Sequence, residues 1–244
     1  MKSIFWPALF FLSAIINSPV LVAQEVQDTT AAYKWFDQVV GKENTGILNG
    51  IEYIEQHISL NEYQKFLGSI YYTPGTVVYE GQAYYDVDLK YNVYDDLLLM
   101  RSNNSSPLQL HKSRVQEFSL NGNDFINIQT DTTAAVHGFH EVLVENEEFS
   151  LLKKHRKYFK KFFDREYAYY EFYENSPGYA IAKGEGYHPA NSRREVISAF
   201  PDHAREIRQF YRERRKQARN NPDNFMTELA GRLAQLSILN TSAE

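Results

Sequence analysis

The clearest periodicity in the chain runs from Gly75 to Met100. Between Ala83 and Tyr91 the odd positions are Ala83, Tyr85, Val87, Leu89 and Tyr91, while the even ones are Tyr84, Asp86, Asp88 and Lys90. Alternation with a period of two marks a strand with one face in a core and the other in water. Upstream, Glu80-Gly81 stands where a two-residue hairpin needs positive φ, which predicts Tyr79 opposite Gln82 and Val78 opposite Ala83. That register gathers Val78, Ala83 and Tyr85 on one apolar face. Leu97–Met100 is apolar at every position, as expected of a strand covered on both sides.

The same signals recur along the chain. Asn49-Gly50, between Ile47-Leu48 and Ile51-Glu52-Tyr53, predicts a hairpin, and Asn121-Gly122 predicts another between Val115–Leu120 and Phe125–Ile128. Thr73-Pro74-Gly75 reads as a turn feeding the meander, and Ser102–Pro107 as a polar loop. Strands are expected at Phe139–Val144 and Phe149–Leu152, joined by the acidic turn Glu145–Glu148, and at Tyr167–Tyr173. Tyr179–Lys183 and Tyr187 flank a further turn at Gly184-Glu185-Gly186. Gln56–Leu67 fits a helical turn and a loop equally well.

Helix signals lie mostly at the end. Ala31–Val40 spaces its apolar residues as a short helix that stops at Gly41. Ser192-Arg193-Arg194-Glu195 is a capping box, Phe200-Pro201-Asp202 restarts a second helix expected to run to Arg219, and Asn221-Pro222-Asp223 starts a third. Phe225, Met226, Leu229, Leu233 and Leu236 form the third helix's apolar stripe. Strands first and helices last give an α+β fold: an antiparallel β-meander, strongly twisted or a partial barrel, followed by C-terminal α-helices.

The first residues read differently. Lys2, the apolar run Ile4–Ile16, Ser18-Pro19 and the small-residue end Val22-Ala23 have the order of a secretory signal peptide, with cleavage expected after Ala23. The apolar run falls short of the roughly 20 residues that span a bilayer. The expected organisation is therefore a signal peptide at 1–23, an acidic meander at 24–152 and a basic region at 153–244 packed on it, periplasmic or secreted. The chain has no cysteine, so neither a disulfide framework nor thiol catalysis enters.

The net charge of −5 conceals an asymmetry. Residues 24–152 hold 7 Lys/Arg against 19 Asp/Glu, whereas residues 153–219 hold 17 against 9. Opposite fields of this kind let two halves dock on each other, or leave the basic half to meet an anionic partner.

The order of motifs is itself informative. Asn49–Tyr53, Gly75–Gly81, Leu89-Lys90-Tyr91 with Asp95-Asp96-Leu97, Val115–Phe118 and Glu141-Val142-Leu143 are followed by Tyr179–Gly184 and by Phe200-Pro201-Asp202 with Ile207–Phe210. This succession resembles a group of secreted or periplasmic proteins of Gram-negative bacteria with no assigned activity. The resemblance consists of turns, core aromatics and helix starts, so it implies fold and compartment and no catalytic residue.

Candidate chemistry is sparse. His137, His140 and Glu141 are the residues best suited to hold zinc, but on an extended strand His140 points away from the other two, so no metal site is expected. Asp86, Asp88, Asp95 and Asp96 lack the ligand spacing of a calcium loop and read as a solvated outer face. Gly184-Glu185-Gly186 carries an acid where a phosphate would sit, and no nucleophile elbow or spaced carboxylate pair stands out. No cofactor is indicated. The 18 tyrosines suit sugar stacking or cross-strand packing. The arginine-rich stretch Pro201–Arg219 has candidate anion-binding residues at Arg208, Arg212 and Arg215. For an exported protein the matching partners are anionic lipid, lipopolysaccharide or acidic glycan rather than nucleic acid. The same cations also offset the negative end of a helix dipole. The expectation is a binding or envelope-associated protein without catalytic activity; an envelope hydrolase using scattered carboxylates and a carrier of an apolar ligand are the alternatives.

Overall fold

The computed structural model describes residues 46–59, 62–101, 106–130 and 134–241. The expected signal peptide, its cleavage after Ala23, the helix over Ala31–Val40 and most of the loop Ser102–Pro107 lie outside the described residues. Thirteen strands follow in chain order: β1 (Ile51–Glu52), β2 (Thr73–Tyr79), β3 (Gln82–Asn92), β4 (Leu97–Arg101), β5 (Leu108–Gln109), β6 (Val115–Leu120), β7 (Asn123–Ile128), β8 (Gly138–Glu145), β9 (Phe149–Lys154), β10 (Lys157–Phe163), β11 (Ala168–Glu174), β12 (Gly178–Lys183) and β13 (Gly186–Pro189). Four helices close the chain: α1 (Arg193–Ala199), α2 (Ala204–Glu213), α3 (Arg215–Asn220) and α4 (Pro222–Thr241). The fold is α+β, as expected.

Eleven strands form one antiparallel sheet in the order β1-β5-β4-β3-β2-β6-β7-β8-β9-β12-β13, and β10-β11 form a separate two-stranded arm. The hairpins at Glu80-Gly81 and Asn121-Gly122 close as predicted, with φ of 53° and 81° in the first and 56° and 80° in the second, the positive pair a two-residue turn demands. Tyr79 faces Gln82, Val78 faces Ala83 and Leu120 faces Asn123.

The sheet curls without closing into a barrel. Tyr91 on β3 and Phe139 on β8 are four strands apart in the sheet order, which in a flat sheet would separate them by about 19 Å. Their ring centroids are 5.7 Å apart. Tyr91 also touches Phe118 and Phe125, each at 5.6 Å, so the concave face is filled by its own aromatic side chains. The other end of the sheet, β8-β9-β12-β13, packs Phe149, Leu151, Tyr179 and Ile181 against Val196, Phe200 and Ile207 of the first helical segments and Phe225, Met226, Leu229 and Leu233 of α4.

Three local predictions are corrected. Strict alternation in β3 fails at Asp86, whose φ is 52°. Gly75 pairs with Val87 and Val77 with Tyr84, leaving Tyr85 and Asp86 opposite the single residue Thr76. This bulge moves the strand's earlier residues to the other face. Tyr84 is consequently the core residue at 3% exposure, while Val78, Ala83 and Tyr85 share the half-covered outer face. Asn49-Gly50 is not a hairpin turn: Gly46–Leu48 is a 3-10 turn and β1 pairs with β5. Glycine is needed there for close approach, because a Cβ would lie 2.8 Å from the Gln109 carbonyl oxygen. Thr73-Pro74-Gly75 is not a turn but the opening of β2, where Pro74 faces Asp88 beyond the reach of β6.

The helix starts are as read. Ser192 accepts from the Glu195 N–H while Glu195 accepts from the Ser192 N–H, the complete capping box. Asn221 Oδ1 accepts from the Asn224 N–H at 3.2 Å at the start of α4. The expected basic helix is divided: Pro201–His203 is a 3-10 turn, and α2 ends at Glu213, after which Arg214, with φ of −106° and ψ of 22°, leaves helical geometry before α3 begins.

Candidate functional site

Two populations of cation emerge from the basic half of the chain. The first faces outward on α2 and α3. Ile207 and Phe210 turn α2 inward, so Arg205, Arg208 and Arg212 point to solvent, followed by Arg215, Lys216 and Arg219 on α3. Among the described residues no carboxylate lies within ion-pairing distance of these six. Arg214, between the two helices, differs: its guanidinium is 2.6 Å from Glu228 and 3.1 Å from Gln217.

The second population points inward from β9 and its neighbours. Lys154 Nζ lies 2.6 Å from Asp96 Oδ2, Lys112 Nζ contacts the same oxygen, and Tyr91 Oη donates to Asp96 Oδ1 at 2.7 Å. Asp96 sits in the β3–β4 turn with φ 55°, so this cluster ties that turn to β9 across the open side of the curled sheet. Sequence reasoning placed Asp96 on a solvated face; the curl of the sheet buries it instead. Burial pushes its carboxyl up, but Lys154 and Lys112 more than reverse that and hold it low. One carboxylate cannot compensate two ammonium groups. Burial therefore dominates at Lys154, with Asp96 pulling the other way and Lys112 and Arg156 adding to the decrease, and its pKa falls to about 8. Gly138 completes the contact, since a Cβ there would lie 2.7 Å from Lys112 Nζ and 2.9 Å from Lys154 Nζ.

Neighbouring groups are used locally. His140, buried on β8, sets its Nδ1 3.0 Å from the Gly138 carbonyl; burial lowers its pKa to about 4, the Gly138 contact opposing and the Lys154 charge assisting. Glu141 meets His155 Nε2 at 2.5 Å, and His137 Nδ1 lies 2.8 Å from the Ala134 carbonyl. The three residues considered for zinc thus go to three different partners. Among the described residues no group of three His, Asp or Glu side chains converges as metal ligands. Lys153 Nζ reaches Asp223 at 2.6 Å, and Tyr179 Oη donates to the other Asp223 oxygen, fastening the first turn of α4 to the sheet.

A further charged constellation lies in the segment that the sequence left unassigned. Lys65 is 2% exposed, with its ammonium 2.6 Å from Glu55 and 3.3 Å from Asp95, over the Tyr53 ring. Burial would raise the Glu55 carboxyl, but hydrogen bonds from Lys65 and the His57 N–H lower it overall. Nothing in local sequence marks this lysine; its partner Asp95 is 30 residues away. A cleft of about 340 Å³ lined by Ile51, Ile54, His57, Asp95 and Leu97 opens beside it. A second, of about 430 Å³, opens where β7 and β8 part beyond the Phe125–Glu141 pair, with Glu117, Asp124 and Glu145 around it. Hydrolysis by paired carboxylates calls for one acid displaced upward. Among the described residues the carboxyls with a displaced pKa, Glu55, Asp96 and Asp223, are all displaced downward, each beside a lysine.

Comparison of the chain with protein-family models, with curated proteins and with solved structures finds no match. Among the described residues no helix is long and apolar enough to cross a membrane.

Proposed function

We propose that this is an exported protein that works at the cell envelope as a binding module, engaging an anionic surface through Arg208, Arg212 and Arg215. One observation carries the reading: the cations of α2 and α3 stand exposed without described carboxylate partners, whereas the cations of β9 turn inward onto Asp96 and Asp223. Exposed positive charge of this density attracts phosphate and carboxylate groups, with a range of about 8 Å at physiological ionic strength. Lipopolysaccharide, anionic phospholipid and acidic glycan present such groups at the envelope, the compartment that the expected signal peptide and the resemblance to secreted Gram-negative proteins both favour. Binding is preferred to catalysis because the convergent charged groups are committed to one another.

The test is cosedimentation with vesicles containing anionic lipid. The unmodified protein is expected to bind at low salt and to release as salt rises, and Arg208→Gln/Arg212→Gln/Arg215→Gln to lose binding with its melting temperature unchanged. Binding by the triple variant as strong as the parent's, and insensitive to salt, would reject the proposal.

A further inference from the structure

The eleven-stranded sheet is forked. β7 and β8 pair from the Ile128/Gly138 pair to the Phe125/Glu141 pair and no further, although β7 starts at Asn123 and β8 runs on to Glu145. Each arm of the fork keeps its partner on the other side: Asp124 faces Ser119 on β6, while Val142 and Glu145 face Leu152 and Ser150 on β9. The cause is local to β8. Val142 and Val144 lie opposite the consecutive residues Leu152 and Leu151, so Leu143 is an extra residue, and a bulge of this kind bends its strand and ends pairing. Two stretches of strand edge, at residues 123–124 and 142–145, are left without a ladder partner where the cleft of about 430 Å³ opens. An open edge presents unpaired N–H and C=O groups, the template that an added strand completes.

The register also puts the charges around the fork on one face. Val78 pairs with Glu117 and Glu117 with Ile126, so these three point the same way, and Asp124 joins them two residues before Ile126. Ile126 pairs with His140, which brings Val142 to that face; Leu152 opposite Val142 and Ser150 opposite Glu145 carry it past the bulge to Glu145. Half-buried Val78, Ile126 and Val142 thus stand among three exposed carboxylates, Glu117, Asp124 and Glu145. Among the described residues no cation lies within ion-pairing distance of any of the three. We propose that the fork is a peptide-binding site, which takes an extended segment of a partner protein, alternating basic and apolar residues, as an added strand along the free edge of β8. Successive side chains of an extended peptide point to opposite faces, so every second residue meets the acidic rim. The residues between turn to the inner side, where Phe118 and Phe125 border the cleft. A second copy of this chain does not fit, because β8 pairing with its own copy would set one acidic rim against the other.

Fluorescence anisotropy with a short labelled peptide that alternates lysine and valine tests this. Binding is expected at low salt and should weaken as salt rises. Glu117→Gln/Asp124→Asn/Glu145→Gln should weaken it by about tenfold or more with the melting temperature unchanged, because all three carboxylates are exposed. Two further arms leave the protein untouched. N-methylation of the peptide's amides removes the donors that pair with β8 and should abolish binding while its charges stay in place. A peptide of the same composition with its lysines in one block should bind about tenfold more weakly, because those charges no longer share one face. Failure of the parent protein to bind the alternating peptide overturns the proposal, as does undiminished binding by the triple variant. Equal binding of the blocked or the N-methylated peptide overturns it too, since the fork would then be a patch of acidic charge and no strand site.

Discussion

Lys154 on β9 and Arg208 on α2 come from the same basic half of the chain and carry the same charge, yet they occupy opposite electrostatic situations. Lys154 is mostly withdrawn from water beside one carboxylate that it shares with Lys112, so its charge is a liability that Asp96 only partly relieves. Arg208 is in water, where its charge costs nothing and is available to a partner. A count of charges by segment cannot separate the two. The change of sign near residue 152 even falls inside β9, so it marks no structural boundary. The two segments meet where Lys154 reaches Asp96 and His155 reaches Glu141, while the arginines of α2 and α3 stay exposed.

The contrast can be broken first at its buried end. Asp96→Ala removes the carboxylate that two ammonium groups share, and breaking this cluster should cost about 3 kcal/mol, the low end for a buried pair because Lys112 is 35% exposed. Urea titration should show the loss, and Lys154→Met in the same background should recover part of it. If Asp96→Ala were no less stable than the arginine triple variant, the distinction between inward and outward cations would collapse.

Acid sharpens the same end. His140 has a folded pKa of about 4 and an ordinary value of 6.5, so the unfolded chain takes up the proton first as pH falls. Its contribution to stability is complete above 6.5 and is lost as pH falls toward 4, by about 3 kcal/mol for that displacement. Melting temperatures across this window should fall steeply for the parent protein and less for His140→Gln.

The two remaining effects are smaller. Ser192→Ala removes half of the capping box at the start of α1 and should cost about 1 kcal/mol, read as a lower melting temperature. Arg208→Gln/Arg212→Gln/Arg215→Gln should change stability within about 0.5 kcal/mol per site, as for surface positions without partners. A large loss in that variant would place those arginines with the buried cations and remove the ground for an external anion.

Much of the architecture was legible in local sequence because local physics decides it. A two-residue turn needs positive φ, which Glu80-Gly81 and Asn121-Gly122 advertise; a helix needs its orphan amides capped, which Ser192 and Glu195 supply within four residues. Those requirements are met within a few positions of the chain, so the pattern of residues by itself determined the hairpins, the helix starts and the α+β order. The arginine face was legible too, in position though not in its division at Arg214. What only the tertiary structure decided are the features that depend on neighbours distant in sequence. The bulge at Asp86 turns Tyr84 rather than Tyr85 into the core, and the close pass of Gly50 over Gln109 replaces a hairpin with an edge pairing. The curl of the sheet sets Asp96 between two lysines, and the segment that packs beside the end of β3 buries Lys65 between two acids. A charged residue carries no local mark of whether it will be desolvated, because that depends on how far the sheet bends and on what the bend brings within a few ångströms of it.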